Sequence, residues 1–210
     1  AAEPVTHSYP HDWRSKTPTI FRATEQWFVA VDKPLAGGES TLRQLALEAT
    51  ADGGPLTFLP AWGRNRMRGM LESRPDWCIS RQRAWGLPIP AFYGPEPGQA
   101  LLTAASVKAV ADVFRQRGSD VWFTAEAGEL LGDYNPSADP DAPDWVAAAH
   151  RNGALTRARD IFDVWFESGS SWHACMRQRG IARSEGPVTD LYLEGSDQHR
   201  GWFQDRKSVV

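Results

Sequence analysis

The apolar positions of this chain come in short bursts separated by turn residues, with one longer helical stripe among them. Residues 7–20 are polar and turn-rich, and the chain becomes apolar from Phe21 to Val31. The run Gln26-Trp27-Phe28-Val29-Ala30-Val31 predicts a buried strand, broken by Pro34 and Gly37-Gly38. Glu39 to Thr50 predicts a short helix, with Ser40 or Thr41 as N-cap and Leu42, Leu45 and Leu47 on its apolar side. Residues 51–63 hold Gly53-Gly54-Pro55 and Pro60 and read as a loop or hairpin. Arg64 to Ser73 reads as a basic helix that ends before Pro75, because a residue preceding proline avoids the α region.

A short strand within residues 77–93 leads into Arg81–Gly86 and then the extended stretch Pro88–Tyr93, and residues 94–100 form a Gly/Pro loop. Thr103 to Arg117 is the clearest helix, with Val107, Val110, Val113 and Phe114 at helical spacing and Gly118 as its stop. Residues 132–154, rich in Pro, Asp, Ala and Asn, predict a surface insertion. Asp160–Phe166 is strand-like, and Asp190–Leu193 predicts a second strand, followed by Gly195 and a helix start at Ser196 or Asp197. Strands interleaved with helices predict an α/β or α+β fold with loop insertions between core pieces.

Composition narrows the function. With 210 residues, 41% of them hydrophobic, the chain can build one good core or two small ones. A net charge of −3 supplies no global positive field for nucleic acid, so any RNA contact must be local. The 19 arginines outnumber the 4 lysines, and six of them fall between Arg64 and Arg83. Arginine suits bidentate phosphate or carboxylate contacts, and the same cluster also fits a solvated, salt-bridged face. Two cysteines, Cys78 and Cys175, are too few for a disulfide framework and favour a reducing compartment. Cys78, between Trp77 and Ile79, reads as a small buried hydrophobe. No apolar run reaches the length of a membrane span. Ala1-Ala2-Glu3-Pro4 carries no initiator Met or signal-peptide pattern and reads as the middle of something longer.

Chemistry concentrates in two strand-then-acid segments. The first is Leu191-Tyr192-Leu193-Glu194-Gly195-Ser196-Asp197-Gln198. In open parallel sheets ligands sit beyond the carboxyl ends of strands, which would aim Glu194, Asp197 and Gln198 at a ligand while Gly195 admits close backbone approach. An ordinary helix N-cap with solvated polar neighbours fits the same spacing. The second is Asp163-Val164-Trp165-Phe166-Glu167-Ser168-Gly169, where Trp165 is either a pocket wall or a core residue. The histidines, His7, His11, His150, His173 and His199, have no zinc-type spacing. No nucleophile elbow or Walker loop occurs.

Four ordered blocks together resemble bacterial-type isoleucyl-tRNA synthetases: Lys16-Thr17-Pro18 through Arg22-Ala23-Thr24-Glu25-Gln26-Trp27-Phe28, residues 74–86 (Arg-Pro-Asp-Trp-Cys-Ile-Ser-Arg-Gln-Arg-Ala-Trp-Gly), residues 163–169, and residues 193–203 (Leu-Glu-Gly-Ser-Asp-Gln-His-Arg-Gly-Trp-Phe). The leucyl and valyl enzymes share the scheme, but the last block is similar to the isoleucyl one. The resemblance covers about residues 8–204. It implies a partial Rossmann-like class I catalytic domain with inserted connective segments. Residues 1–30 would be the exit from an editing insertion, 31–93 a catalytic segment, 94–155 a connective insertion, and 156–204 the second half of the catalytic domain, with 205–210 an atypical tail. It implies that Glu194 contacts isoleucyl-adenylate, that Gly195, Asp197 and Gln198 surround it, and that Trp165 and Trp202 shape the amino-acid side. The implied partners are isoleucine, ATP with magnesium, tRNA(Ile) and the remainder of the synthetase, in the cytoplasm, with no membrane.

The chain departs from some members of that family where Asp12-Trp13-Arg14-Ser15 stands in place of Cys-Trp-x-Cys, so no zinc is expected here. The His-Ile-Gly-His and Lys-Met-Ser-Lys-Ser signatures and the editing site do not occur in it, so the polypeptide alone is expected to be inactive. A reading from another class is a non-catalytic piece that binds tRNA or a partner through Arg64–Arg83.

Overall fold

The computed structural model describes residues 6–183, 185–186 and 188–199. Strand pairing is short and, among the described residues, antiparallel throughout. β1 (Phe28–Val29) pairs with β2 (Trp77–Cys78), and β3 (Ser80–Arg81) pairs with β7 (Ile161–Phe162). β4 (Phe92–Tyr93) lies between β5 (Ala100–Leu101) and β6 (Thr156–Arg157). The buried strand expected over Gln26–Val31 is thus two residues long, and Phe28 faces solvent. A strand exists only as far as its ladder partner extends, and β2 offers two residues.

The helices follow their local signals more closely. α1 (Leu42–Ala49) starts at Thr41, whose hydroxyl accepts from Gln44 N while the Gln44 side chain accepts from Thr41 N, a reciprocal capping box. Of the residues expected on its apolar side Leu42 is buried and Leu45 is exposed, while Ala46 is buried as well. α2 (Trp62–Ser73) packs Met67 and Leu71 on Ala46, with Leu47 and Phe58 alongside. Arg43 ties the two helices together. It forms a two-pronged pair with Asp32 (2.6 and 2.8 Å) and donates to the carbonyls of Leu71, Glu72 and Arg74 at the end of α2. A planar fork with five donors can hold a carboxylate with two prongs and still serve several orphan helix carbonyls, more than the three donors of a lysine can reach.

α3 (Ala104–Arg117) starts at Thr103 with a second capping box, through Ser106, and stops at Gly118 with φ +79°. Its Val110 enters a core with Phe92, Leu101, Trp122, Leu130, Leu131 and Val146. α4 (Val121–Thr124), α5 (Ala127–Leu131) and α6 (Val146–Arg151) complete this body. Residues 132–154 are therefore not a surface insertion: Tyr134, Val146 and Ala149 are core residues. Val146 and Ala149 stand three apart on α6, but one short helix among Pro- and Asp-rich neighbours is too brief a period to read, and Tyr134 stands alone.

Asp139 is also buried in this region. It accepts from Thr103 Oγ1 at 2.6 Å, Tyr134 OH at 2.8 Å and Asp141 N at 3.1 Å. The donors, Thr103 foremost, hold its carboxyl below the usual range, while burial and the adjacent carboxylate push the Tyr134 phenol up to about 12. A depressed carboxyl pKa contributes stability above the unfolded value that is lost as pH falls through the folded value. The raised phenol pKa contributes stability below its unfolded value that is lost as pH climbs toward 12. Asp139→Asn should therefore flatten the acid side of the stability profile below about pH 4, and Tyr134→Phe should remove a phenolate absorbance step at about pH 12. Denaturant titrations across pH and near-ultraviolet titration measure the two.

Candidate functional site

Three of the four sequence blocks meet in space. Residues 77–81 bond to both the 26–29 segment and the 161–163 segment: Ile79 N donates to Trp27 O (2.9 Å), and Asp163 N donates to Ile79 O (2.7 Å). Side chains tighten the join. Gln26 Oε1 accepts from Ser80 Oγ (2.7 Å) and Gln82 Nε2 (3.1 Å). Ser80 Oγ accepts from Trp27 N (2.8 Å), and Trp27 Nε1 donates to Tyr93 OH (3.2 Å). Asp76 Oδ1 accepts from Val31 N at 3.0 Å.

At the centre sits Asp163, 5% exposed. Its Oδ2 accepts from Arg81 Nη2 at 2.5 Å and Trp77 Nε1 at 3.2 Å. Its Oδ1 accepts from Trp165 N at 3.2 Å and caps α7 (Val164–Ser171). The strand-like reading of Asp160–Phe166 is corrected here: β7 ends at Phe162, and Trp165 lies in the first helical turn, half-buried. An aspartate before the apolar run Val-Trp-Phe captures the free amides of a helix start, and that local bond outweighs a continued ladder. Phe166 stacks on Phe162 with ring centroids 4.3 Å apart and packs near Trp77 at 6.2 Å. Glu167 Oε1 accepts from Leu87 N at 3.2 Å.

The arginines between Arg64 and Arg83 are largely engaged within the fold. Arg64 pairs with Asp52 at 2.7 Å, Arg68 donates to Leu47 O at 2.7 Å, Arg74 lies over the Trp77 ring, and Arg81 holds Asp163. Arg66 and Arg83 are exposed. Between the end of α2 and β2–β3 lies a cleft of about 490 Å³ lined by Met70, Arg74, Asp76, Trp77, Cys78 and Arg81. Cys78 is half-buried, with Sγ 3.6 Å from Gln26 Oε1, and Cys175 is exposed.

The last block has a different setting. Residues 190–193 form no strand among the described residues, and Leu191 and Leu193 are exposed, the latter at 80%. Among the described residues no ladder partner lies beside them to take up their backbone groups. A four-residue turn, Ser196–His199, follows and lies against α2. Glu194 and Gly195 are exposed, and Gln198 N donates to Gly195 O at 3.1 Å. Asp197 Oδ2 accepts from Gln198 Nε2 at 3.1 Å. A Cβ on Gly195 would stand 2.5 Å from Asp197 Oδ1, the movable end of an exposed side chain. Trp202 lies outside the described residues, as do residues 205–210. No three His, Cys, Asp or Glu side chains converge as a metal site among the described residues, and no described helix is long and apolar enough to cross a membrane.

The reading of the residues missed Asp163 and Trp77 as partners. Their separation of 86 positions is invisible in a single sequence; the local signal was the Asp that precedes an apolar run.

A family model described as tRNA synthetases class I (I, L, M and V) matches residues 11–209. The chain belongs to the class I tRNA synthetases. Within that family it is similar to proteins named isoleucine–tRNA ligase. It is 48% identical over 206 residues to the one from Geobacillus thermodenitrificans and 46% identical over 202 residues to the one from a Nitratiruptor species. The matches cover 98% and 96% of this chain, which spans 20% of the length of each of these synthetases.

Proposed function

We propose that this segment works within an isoleucine–tRNA ligase, where it supplies the amino-acid and adenylate side of the pocket. The observation that carries the reading is the identity of 46–48% to isoleucine–tRNA ligases along nearly the whole chain. In this reading residues 31–93 and 156–204 belong to a Rossmann-like catalytic domain and 94–155 to a connective insertion. The reaction joins the isoleucine carboxylate to the α-phosphorus of magnesium-bound ATP with release of pyrophosphate. The acyl group then passes to the 3′ end of tRNA(Ile).

Little proton transfer is required, so holding the reactants in line dominates the rate. Glu194 is exposed and offers two acceptor oxygens, which suits the ammonium of isoleucine or the ribose hydroxyls. Asp197 and Gln198 flank it, Gly195 allows close backbone approach, and Trp165 and Trp202 wall the apolar side chain. One methylene separates isoleucine from valine and is worth only about 1–3 kcal/mol, so the fit of those walls matters.

The test places residues 11–199 in the matching segment of the Geobacillus thermodenitrificans ligase and follows isoleucine-dependent ATP–pyrophosphate exchange. The exchange should persist in the chimera. Glu194→Ala should lower kcat/KM by about 10- to 100-fold, the loss expected for one charged hydrogen bond. Unchanged exchange in Glu194→Ala, with the chimera active, would reject the role given to Glu194.

A further inference from the structure

We propose that Asp163, held by Arg81 and Trp77, is a positioning residue that sets where Trp165 stands and thereby how well the pocket separates isoleucine from valine. The inference rests on Trp165 being a wall of the amino-acid pocket.

A carboxylate buried to this degree is costly unless fully satisfied. Asp163 is satisfied in a way that gives each oxygen a separate task. Oδ2 is anchored from outside the helix by Arg81 of β3 and the indole of Trp77 on β2. Oδ1 is then left to receive the amide of Trp165. An asparagine or serine could cap α7 as well as aspartate does. Capping alone therefore does not explain a charge paired with Arg81. The ion pair fixes the first turn of α7 to β3, and through β3 to β7, with which it is paired. Two further contacts lock the same turn. Phe166 stacks on Phe162, and Glu167 accepts from Leu87 N. Trp165 is thus carried on a helix start that is pinned by its own neighbours on both sides, while its ring stays half-buried.

The consequence for selectivity is geometric. A wall that must detect one methylene loses that power when it moves by a fraction of an ångström, whereas the overall binding of the amino acid falls less. Asp163→Asn keeps size and cap but removes the charge that holds Arg81. Arg81→Lys keeps the charge but not the fork.

The experiment uses the chimeric ligase described above and compares Asp163→Asn, Arg81→Lys and Arg81→Ala by pyrophosphate exchange with isoleucine and with valine. The expected result for Asp163→Asn is a fall of about tenfold in the isoleucine-to-valine ratio of kcat/KM, with a smaller rise in the isoleucine KM and a smaller fall in kcat. Arg81→Lys should recover part of the ratio lost in Arg81→Ala. A purely structural role would reduce the amount of active enzyme without moving KM or the ratio, and that outcome overturns the proposal. Trp165→Ala separates the pocket wall from its positioning. If it leaves the isoleucine KM unchanged, the pocket-wall reading fails, and selectivity control by Asp163 falls with it. If Trp165→Ala raises KM while Asp163→Asn does not, the wall stands and the positioning role is rejected. Amide exchange at Trp165, faster in Asp163→Asn, reports the loosened helix start directly, and unchanged exchange counts against it.

Discussion

Replacing Trp122 by alanine should destabilise the chain by about 3–5 kcal/mol, the cost of emptying a fully packed aromatic site. Trp122 is 1% exposed. Its ring packs against Phe92 (centroids 5.3 Å apart) and Phe114 (6.2 Å, edge-on), and its Nε1 donates to Ala158 O at 3.0 Å. That bond matters because Ala158 belongs to a neighbouring core cluster, with Ile89 and Ala91. One side chain therefore fills the centre of the larger core and ties it to the smaller one. It is carried on α4, only four residues long, and so short a helix has almost no stability apart from the packing it makes. The midpoint of thermal unfolding should fall by roughly 6–20 °C, at about 2–4 °C per kcal/mol for a chain of this size. Trp122→Phe should cost less, keeping an aromatic ring but leaving Ala158 O without its donor, a penalty of about 1–3 kcal/mol. Denaturant titration of both variants checks this. A loss below about 1 kcal/mol for the alanine variant would mean that the site does not hold the core.

What the residues alone revealed tracks how local each signal was. α1 and α3 were legible because Thr41 with Gln44, Thr103 with Ser106, and Gly118 are punctuation written within a few positions of the helix ends. The apolar run after Asp163 was misread because a few apolar residues in a row carry no period that separates strand from helix. Arg81 was legible only as one of a cluster that suits phosphate, carboxylate or a solvated face, and Asp163 only as the opening of an apolar run, because each was seen without the other, 82 positions away. Leu191-Tyr192-Leu193 has strand composition, yet a strand needs a partner, and composition says nothing about one. Tyr134, Val146 and Ala149 entered the core from a stretch whose prolines and aspartates suggested surface. Of the candidate site, the motifs were visible as strings; their assembly into a join centred on Asp163 was not, because it is made of contacts between distant segments.

The same join should be sensitive at a residue with no side chain at all. Gly86→Ala is expected to cost about 2–4 kcal/mol, from two separate causes. Gly86 has φ +149°, a backbone region that other residues occupy only under strain worth about 1–3 kcal/mol. A Cβ there would also stand 2.4 Å from Ile161 Cδ1 and 3.3 Å from Ile161 Cβ. Ile161 is buried on β7, where it faces Arg81, so it can retreat only by turning its terminal methyl or by pushing β7 away from β3. The first response limits the cost; the second drags Asp163, two residues on, away from its partners. The two causes separate in a double-mutant cycle. Ile161→Val removes the clashing methyl at about 0.5–1.5 kcal/mol by itself. Combined with Gly86→Ala it should recover the overlap and leave the backbone strain, a favourable coupling of about 1 kcal/mol. Thermal unfolding of the four proteins measures it. Strict additivity would show that the close approach of Gly86 to Ile161 is not felt in solution. A coupling of the expected sign, together with a raised isoleucine KM for Gly86→Ala in the chimeric ligase, would connect the close approach of Gly86 to Ile161 to the placement of Trp165.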